Sequence, residues 1–326
     1  MEGLQGDTDP QQQPSAFGQA VAMAESLDPA VATAFVPADS SELFARFPDL
    51  AGVEVRDVTI DGRQGDVPGR LYRVPATVGT AFVWVHGGAF IGGNLDFGEA
   101  HWVSLAIAAA GFPVLSLDYR KSLRGVHYPV PSDDILDGWL WATAHADELG
   151  ARPDDLHLGG ASAGGNLVAG VTKRLRDGAG PLPASLVLVY PIVHGELPPL
   201  PPDLQELAHA GPGPDFSPDV VREMNLQYAG SAEVLDDPYA FAPNGELGGQ
   251  PPVFVLNSES DFLRASGEAY ADALRAAGVD VTVVMEPGTR HGHVNGPDQP
   301  GAERSVERLV TWLRDHALRE ERSSSR

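Results

Sequence analysis

Three residues of types that cooperate in nucleophilic catalysis are spread along the chain. Ser162 stands at the centre of a G-x-S-x-G pattern in "LHLGGASAGGNL". Asp261 follows in "LNSESDFLR", and His291 follows in "EPGTRHGHVN". In such a set the histidine takes the proton of the serine hydroxyl, and the aspartate fixes the tautomer of the histidine ring. These residues predict a nucleophile at Ser162 that attacks a carbonyl carbon.

The G-x-S-x-G pattern is weak by itself, because the chain contains 37 glycines among 326 residues. Its surroundings make it more specific. An apolar "LHLGG" precedes Ser162 and predicts a strand, and "AGGNLVAGVTKRLRD" follows and predicts a helix. A sharp turn between a strand and a helix exposes a serine hydroxyl and needs small neighbours, here Gly160 and Gly164. The N-terminus of the helix also favours negative charge near the serine.

A second glycine-rich stretch, "VWVHGGAF", covers residues 83–90. Backbone N–H groups at the end of a strand can converge on a developing oxyanion when no side chain blocks them. The Gly87-Gly88 pair provides such groups, although a simple turn leaving a strand explains the same residues. The position of the pair ahead of the serine favours a role in an oxyanion hole.

Two alternatives to the acid and the base lie close by. Glu259 is two residues from Asp261, and His293 is two residues from His291. His86 and His101 are interpreted as structural. The chain contains no H-E-x-x-H pattern and no G-x-x-x-x-G-K-[ST] phosphate loop. We therefore expect no metal site and no organic cofactor.

Short apolar runs alternate with helix-length segments from about residue 80 onward. The runs predict strands in "TAFVWV", "FPVLSLDY", "DLHLGG", "ASLVLVYP", "PPVFVLNSE" and "VDVTVVMEP". The segments between them predict helices over 97–110, 132–149, 162–177, 264–277 and 301–318. This alternation predicts an α/β protein with a mostly parallel central sheet and helices on both faces. The three candidate residues each follow a predicted strand, at the edge where open sheets bind ligands.

Other regions flank or interrupt this core. Residues 16–50 carry two helical patterns broken by prolines at 29, 37 and 48, and "VEVRDVTI" with "GRLYRV" predicts an antiparallel hairpin. Residues 195–218 are rich in proline and precede a helical pattern over 218–229. We expect an N-terminal cap segment over 1–50 with about 15 disordered residues, a core over 51–194 and 246–320, a lid insertion over 195–245, and a disordered tail over 321–326.

The composition excludes several classes of site and partner. A net charge of −23 argues against binding to nucleic acid or anionic membranes. The chain has no cysteine, which excludes disulfides, thiolate metal sites and cysteine nucleophiles. The first residues, "MEGLQGDTDPQQQP", lack the basic and apolar regions of a signal peptide, and no apolar run is long enough to predict a membrane span. The expected location is the cytoplasm.

Taken together, the motifs resemble those of the hormone-sensitive-lipase-like carboxylesterases of the α/β-hydrolase fold, over about residues 50–318. "HGGAF" is similar to the HGGG-type motif of that family, "LDYR" to its D-Y-R, and "GASAGGNL" to its G-D-S-A-G-G-N-L. "DDPYAFAP" and "GTRHGH" follow in the family's order. The resemblance implies an α/β-hydrolase fold with a helical cap and a triad of Ser162, Asp261 and His291. It also implies an oxyanion hole formed by the N–H groups of Gly87, Gly88 and Ala163.

The chain departs from the family pattern at several positions around the site. Ala89 stands in place of the third glycine of the HGGG-type motif, and Ala161 in place of the aspartate before the serine. The stretch "KSLRGVHYP" replaces the family's L-A-P-E-H and is one residue longer, and "HGH" replaces H-G-F. These departures leave the triad intact and concern the residues around it.

The sequence thus predicts a serine hydrolase that cleaves a small carboxylic ester through an acyl-enzyme on Ser162. The same triad would also serve amide, lactone or carbamate hydrolysis, acyl transfer or elimination. A non-catalytic small-molecule binder on the same scaffold is a third hypothesis. The expected partner is a small-molecule ester, and a homodimer is left open.

Overall fold

A computed structural model describes residues 14–27, 40–209 and 215–317 of the chain. Eight strands form its sheet: β1 (Glu54–Ile60), β2 (Val67–Arg73), β3 (Ala81–Val85), β4 (Val114–Leu117), β5 (Leu156–Ala161), β6 (Leu186–Val189), β7 (Val253–Ser260) and β8 (Val281–Arg290). Their spatial order is β1-β2-β4-β3-β5-β6-β7-β8. β2 pairs antiparallel with β1 and β4, and the remaining neighbours pair parallel. The predicted mostly parallel sheet and its N-terminal hairpin are confirmed.

The helices lie between and around these strands. Within the described residues they are α1 (Ala16–Ser26), α2 (Ser40–Arg46), α3 (Gly98–Ala109), α4 (Val130–Ala144), α5 (Ala163–Arg174), α6 (Pro202–His209), α7 (Pro218–Ala229), α8 (Arg264–Ala276) and α9 (Ala302–Ala317). None of these helices is long and apolar enough to cross a bilayer. The predicted helix over 218–229 matches α7 at both ends.

The predicted helix over 132–149 is wrong at both ends. α4 begins at Val130, because Pro131 fits the first turn of a helix, where its missing N–H is not needed. It ends at Ala144, because His145 leaves helical geometry with φ −119° and ψ 30°. A turn-rich segment connects it to β5.

The side chains of β3 show why the predicted strands are apolar throughout, with no alternation between apolar and polar residues. Val83 and Val85 face a core shared with α4, α5 and α8, whereas Phe82 and Trp84 face a second core shared with α3 and α9. β3 therefore buries both of its faces between two layers of helices. The carboxyl ends of β5, β7 and β8 lie along the same edge, so the residues that follow these strands are brought together.

The N-terminal segment contacts the helix that follows the proline-rich stretch. Ser15, which caps α1, hydrogen bonds to Glu223 of α7. The sequence predicts disorder for the first 15 residues and for 321–326. Almost all of these residues lie outside the described ranges. Two of the three predicted helix breaks, at 29 and 37, also lie outside them, whereas Pro48 opens a short 3₁₀ turn over Pro48–Gly52.

The departing stretch "KSLRGVHYP" attaches α1 to the core. The guanidinium of Arg124 donates to the carbonyl oxygens of Ala24 at 2.9 Å and Leu27 at 2.5 Å, at the C-terminal end of α1. Its backbone N–H donates to the carboxylate of Glu25 at 2.7 Å. Since a guanidinium satisfies the free carbonyls of a helix end, this stretch holds α1 in place.

A buried acid fastens the last helix to the edge strand. Glu286 on β8 is fully buried and accepts hydrogen bonds from Arg304 at 2.6 Å and Arg308 at 2.8 Å, both on α9. Burial alone would raise the pKa of Glu286, but the two guanidinium groups outweigh it, so the net shift is downward.

We expect Glu286→Gln to lower the free energy of unfolding by about 2 kcal/mol. This loss is smaller than the loss expected on breaking a fully buried ion pair, because both arginine side chains are half-exposed. A depressed folded pKa contributes stability above the ordinary value of 4.5 and loses it as the pH falls through the folded value. The difference between wild type and variant therefore narrows in acid, as urea unfolding at several pH values measures. Asp272→Asn, in the exposed pair with Arg275, is the control and should change stability by less than about 0.5 kcal/mol. A constant difference down to pH 3 would contradict this account.

Candidate active site

Ser162 occupies a strained turn between β5 and α5. Its backbone has φ 52° and ψ −119°, in the left-handed range that non-glycine residues seldom adopt. Its N–H donates to the carbonyl oxygen of Val189 on β6 at 2.9 Å, which ties the turn to the sheet. A Cβ atom at Gly164 would lie 2.4 Å from the carbonyl oxygens of Val85 and His86. The small neighbours predicted around the serine are thus required by the packing of the turn.

The side chains of Ser162, His291 and Asp261 form one continuous line. His291 Nε2 lies 2.9 Å from Ser162 Oγ, and His291 Nδ1 lies 2.7 Å from Asp261 Oδ2. The Asp261 carboxylate is buried, and its other oxygen accepts from the Leu263 N–H at 2.9 Å. Because a carboxylate only accepts, His291 carries its proton on Nδ1, and its Nε2 is free to accept from the serine hydroxyl.

The alternative acid, Glu259, and the alternative base, His293, form hydrogen bonds with other groups. Glu259 accepts from the Gly288 N–H at 2.8 Å and makes no hydrogen bond to His291. His293 is buried, with Nε2 2.7 Å from Ser305 Oγ and Nδ1 3.0 Å from Ser258 Oγ. Burial lowers the pKa of His293 to about 4, so it is neutral near pH 7. The second histidine of "HGH" therefore anchors the loop that carries His291.

The backbone amides of Gly87 and Gly88, which follow β3, differ in their hydrogen bonding. The Gly87 N–H donates to the buried carboxylate of Glu99, so it is not free to bind an oxyanion, which corrects the prediction for this residue. The amides of Gly88 and Ala163 make no hydrogen bond within the described part of the chain, and the same holds for Ala89. The free donors thus begin one residue later than predicted.

The departure at Ala89 has a conformational cost. Ala89 has φ 54° and Phe90 has φ 63°, so two consecutive non-glycine residues adopt left-handed backbone. Packing holds them there: the Phe90 ring stacks on Tyr228 with centroids 4.3 Å apart, and the Phe90 carbonyl accepts from the Ser122 N–H at 2.8 Å.

Below this loop lies a buried charged cluster. His86 Nε2 is 3.0 Å from Asp118 Oδ1, and Lys121 Nζ contacts the same carboxylate and the Tyr119 carbonyl at 2.8 Å. Burial alone would raise the pKa of Asp118, but the charge of Lys121 and the His86 hydrogen bond outweigh it, so the net shift is downward. Lys121, the first residue of "KSLRGVHYP", thus gives the partly buried Asp118 a cationic partner.

Ala161 packs where the family pattern has an aspartate. Its side chain is fully buried in the apolar core that contains Tyr190 and Val294. An ionised side chain placed among these apolar neighbours would lose its hydration, which costs free energy. The alanine is therefore the residue type that its surroundings accept.

Two aromatic rings flank the imidazole of His291. The Phe216 ring, from the insertion, lies 4.2 Å from His291, and the Tyr190 ring lies 4.7 Å from it. Tyr190 is fully buried and follows β6, whereas Phe216 is half-buried. Phe216 therefore brings the segment over 195–245 into contact with His291.

Glu99 and Tyr190 were not identified from the sequence. Glu99 is a single acid in the first turn of α3, an otherwise largely apolar helix, and this isolation is the only signal that marks it. Tyr190 follows an apolar strand in "VLVYP" and carries no distinguishing pattern.

The α/β-hydrolase fold family matches residues 82–295 of the chain. The carboxylesterase NlhH of Mycobacterium tuberculosis (strain ATCC 25618 / H37Rv) is 35% identical over 250 residues, which cover 74% of this chain and 76% of that protein. The ethyl acetate hydrolase of Pseudomonas putida is 30% identical over 272 residues, covering 80% and 83%. A hyperthermophilic esterase from the archaeon Pyrobaculum calidifontis superposes with a TM-score of 0.74 at 29% identity, covering 85% of this chain and 90% of that structure. The fold and the family resemblance predicted from the sequence are confirmed.

The hydrogen bonds of the two acids predict different outcomes for their amide variants. Asp261→Asn removes the acceptor for the His291 Nδ1 proton and should lower kcat for ester hydrolysis roughly 10³–10⁴-fold. Glu259→Gln should stay within about threefold of wild type, because the carboxylate of Glu259 bonds to the Gly288 N–H and the imidazole bonds to Asp261 instead. Steady-state kinetics of both variants against one p-nitrophenyl ester measures this. A larger loss in Glu259→Gln than in Asp261→Asn would reverse the assignment.

Proposed function

The chain belongs to the α/β-hydrolase fold family and is a carboxylesterase-type hydrolase, and on that premise we propose that Ser162, His291 and Asp261 cleave a small carboxylic ester. The observation that carries this proposal is the unbroken line from Ser162 Oγ through His291 to the buried Asp261 carboxylate. Relatives named as carboxylesterases support the same reaction class.

In the first half of the reaction, Ser162 Oγ attacks the ester carbonyl carbon while His291 Nε2 takes the hydroxyl proton. Asp261 stabilises the imidazolium that forms and keeps its orientation. His291 then gives the proton to the leaving alkoxide, which departs as the alcohol. The acyl group stays on Ser162 as an ester.

The negative charge of each tetrahedral intermediate falls on the former carbonyl oxygen. We assign its stabilisation to the N–H groups of Gly88 and Ala163, with the Ala89 N–H beside them. Ala163 is the first residue of α5, directly after Ser162, and the N-terminus of this helix adds its positive partial charge. Gly87, bonded to Glu99, is left out of this set.

In the second half, a water molecule replaces the alcohol. His291 Nε2 takes a proton from this water, whose oxygen attacks the acyl carbon and releases the carboxylic acid. Ser162 recovers its proton from the imidazolium. No further group is needed to balance the reaction.

The substrate is proposed to be small on both sides of the ester bond. Phe216 reaches over the imidazole from the insertion and narrows the space above the triad. The Pseudomonas putida relative is named for ethyl acetate, which is consistent with a short acyl group. The same groups would act on a lactone or an activated amide, but the relatives favour esters. The cytoplasmic location and the homodimer remain predictions.

Removing the nucleophile tests the proposal directly. Ser162→Ala should lower kcat for p-nitrophenyl acetate by several orders of magnitude, toward the residual rate of a site without a nucleophile. A fluorophosphonate probe should label wild type and leave the variant unlabelled. Hydrolysis by Ser162→Ala at the wild-type rate would refute the assignment of Ser162.

Shortening the aromatic side chain over the imidazole tests the proposed substrate size. Phe216→Ala should shift the optimum of kcat/KM from two-carbon toward six- or eight-carbon p-nitrophenyl esters, because space opens beside His291. Phe44→Ala, at a partly buried ring packed against the core with α3 and α9, is the control and should leave the chain-length profile unchanged. An unchanged profile in Phe216→Ala would show that this ring does not limit the acyl group.

A further inference from the structure

The carboxylate of Glu99 is buried beside the nucleophile, and the reaction described above makes no use of it. Glu99 is 2% exposed, and no salt bridge involves it among the described residues. A Cβ atom placed at Gly87 would lie 2.8 Å from Glu99 Oε1 and 2.9 Å from Ser162 Cβ. The acid and the nucleophile thus flank the same glycine. A buried carboxylate without a cation is costly, so its hydrogen bonds must compensate for lost hydration.

Both oxygens of Glu99 accept from donors of the site. Oε1 accepts from the Gly87 N–H, and Oε2 accepts from the Tyr190 hydroxyl at 2.5 Å. Tyr190 is fully buried and in turn lies against His291 and His293, with ring centroids 4.7 and 5.3 Å away. Glu99 therefore joins the glycine loop to the part of the site that carries the catalytic imidazole.

The next peptide group is fixed from the opposite side. The Gly87 carbonyl lies 2.6 Å from His86 Nδ1 and accepts from the Tyr119 hydroxyl at 3.0 Å. Because a peptide group is planar and trans, the Gly88 N–H points away from the Gly87 carbonyl. Holding that carbonyl against His86 and Tyr119 therefore directs the Gly88 N–H to the other side.

Gly87 itself is the flexible joint between these two peptide planes. Glycine has the widest choice of φ and ψ, so its two planes stay in one orientation only when both are held. Glu99 holds the plane before Gly87, and His86 with Tyr119 holds the plane after it. Without Glu99, the plane before Gly87 can turn, and the orientation of the Gly88 N–H relative to Ser162 then depends on His86 and Tyr119 alone.

We propose that Glu99, supported by Tyr190, is a positioning residue that orients the Gly88 N–H for the oxyanion of the ester reaction. The proposal rests on the function proposed above, because it assigns a role only if an oxyanion forms at Ser162. Glu99 does not touch the reacting atoms and acts through Gly87. Its effect belongs to the transition state and leaves ground-state binding of the ester largely unchanged.

Two substitutions of Glu99 separate positioning from simple support of the fold. Glu99→Leu removes the acceptor of the Gly87 N–H and should lower kcat roughly ten- to hundred-fold with KM changed less than about threefold. Affinity for a boronic acid, which forms a tetrahedral adduct with the serine, should fall by a similar factor. Glu99→Gln keeps an oxygen for Gly87 and should recover most of kcat.

A matched control is available at another buried acid. Glu286→Leu, at a carboxylate bonded to Arg304 and Arg308 rather than to the glycine loop, should lower the thermal midpoint while kcat per folded molecule stays at the wild-type value. Folded Glu99→Leu with wild-type kcat and wild-type boronate affinity would overturn the proposal. If Glu99→Leu does not fold, Tyr190→Phe decides, since it keeps the ring but removes one donor; unchanged kcat in that variant would also overturn it. Absence of turnover in wild type would instead refute the proposed function itself.

Discussion

The strained turn at Ser162 is the constraint around which the site is arranged. A non-glycine residue with φ 52° persists only where its surroundings hold it, and here the Val189 carbonyl, the close approach of Gly164 to the end of β3, and the start of α5 do so. The same closeness brings the glycine loop after β3 against the nucleophile. Sheet order then adds the acid and the base, because β7 and β8 end on the same edge. The geometry of attack is thus set by backbone packing, and the side chains complete it.

Much of this arrangement can be predicted from the sequence because it depends on local patterns. Runs such as "TAFVWV" and "ASLVLVYP" are apolar on both faces, and only a covered parallel sheet accepts them, so the fold class follows. The position of Ser162, Asp261 and His291 after such runs follows in the same way. The choice of Asp261 over Glu259 did not follow from the residues alone, since both are carboxylates two positions apart. The bulge between Ser258 and Ser260 and the turn after it decide which one faces the imidazole.

What the sequence could not provide are contacts between distant segments. The Gly-Gly pair indicates free amides but does not say which peptide plane faces the nucleophile, and the Gly87 amide proved to be bonded to Glu99. Glu99 and Tyr190 are 91 positions apart, so no spacing rule connects them. Ala161 and Lys121 looked anomalous only against a family pattern. In the structure, Ala161 packs in an apolar core and Lys121 forms an ion pair with the partly buried Asp118.

The distribution of the triad over three strands has a consequence for folding. Ser162 and His291 are 129 positions apart, and their hydrogen bond exists only after β5, β6, β7 and β8 have paired in order. Closing such a large loop is slow, because entropy is lost before the contact that rewards it is made. A chain in which only the N-terminal half has folded therefore cannot hydrolyse an ester. During synthesis or refolding, the chain therefore has no hydrolytic activity until β8 has paired with β7. The appearance of activity then reports that the sheet is complete.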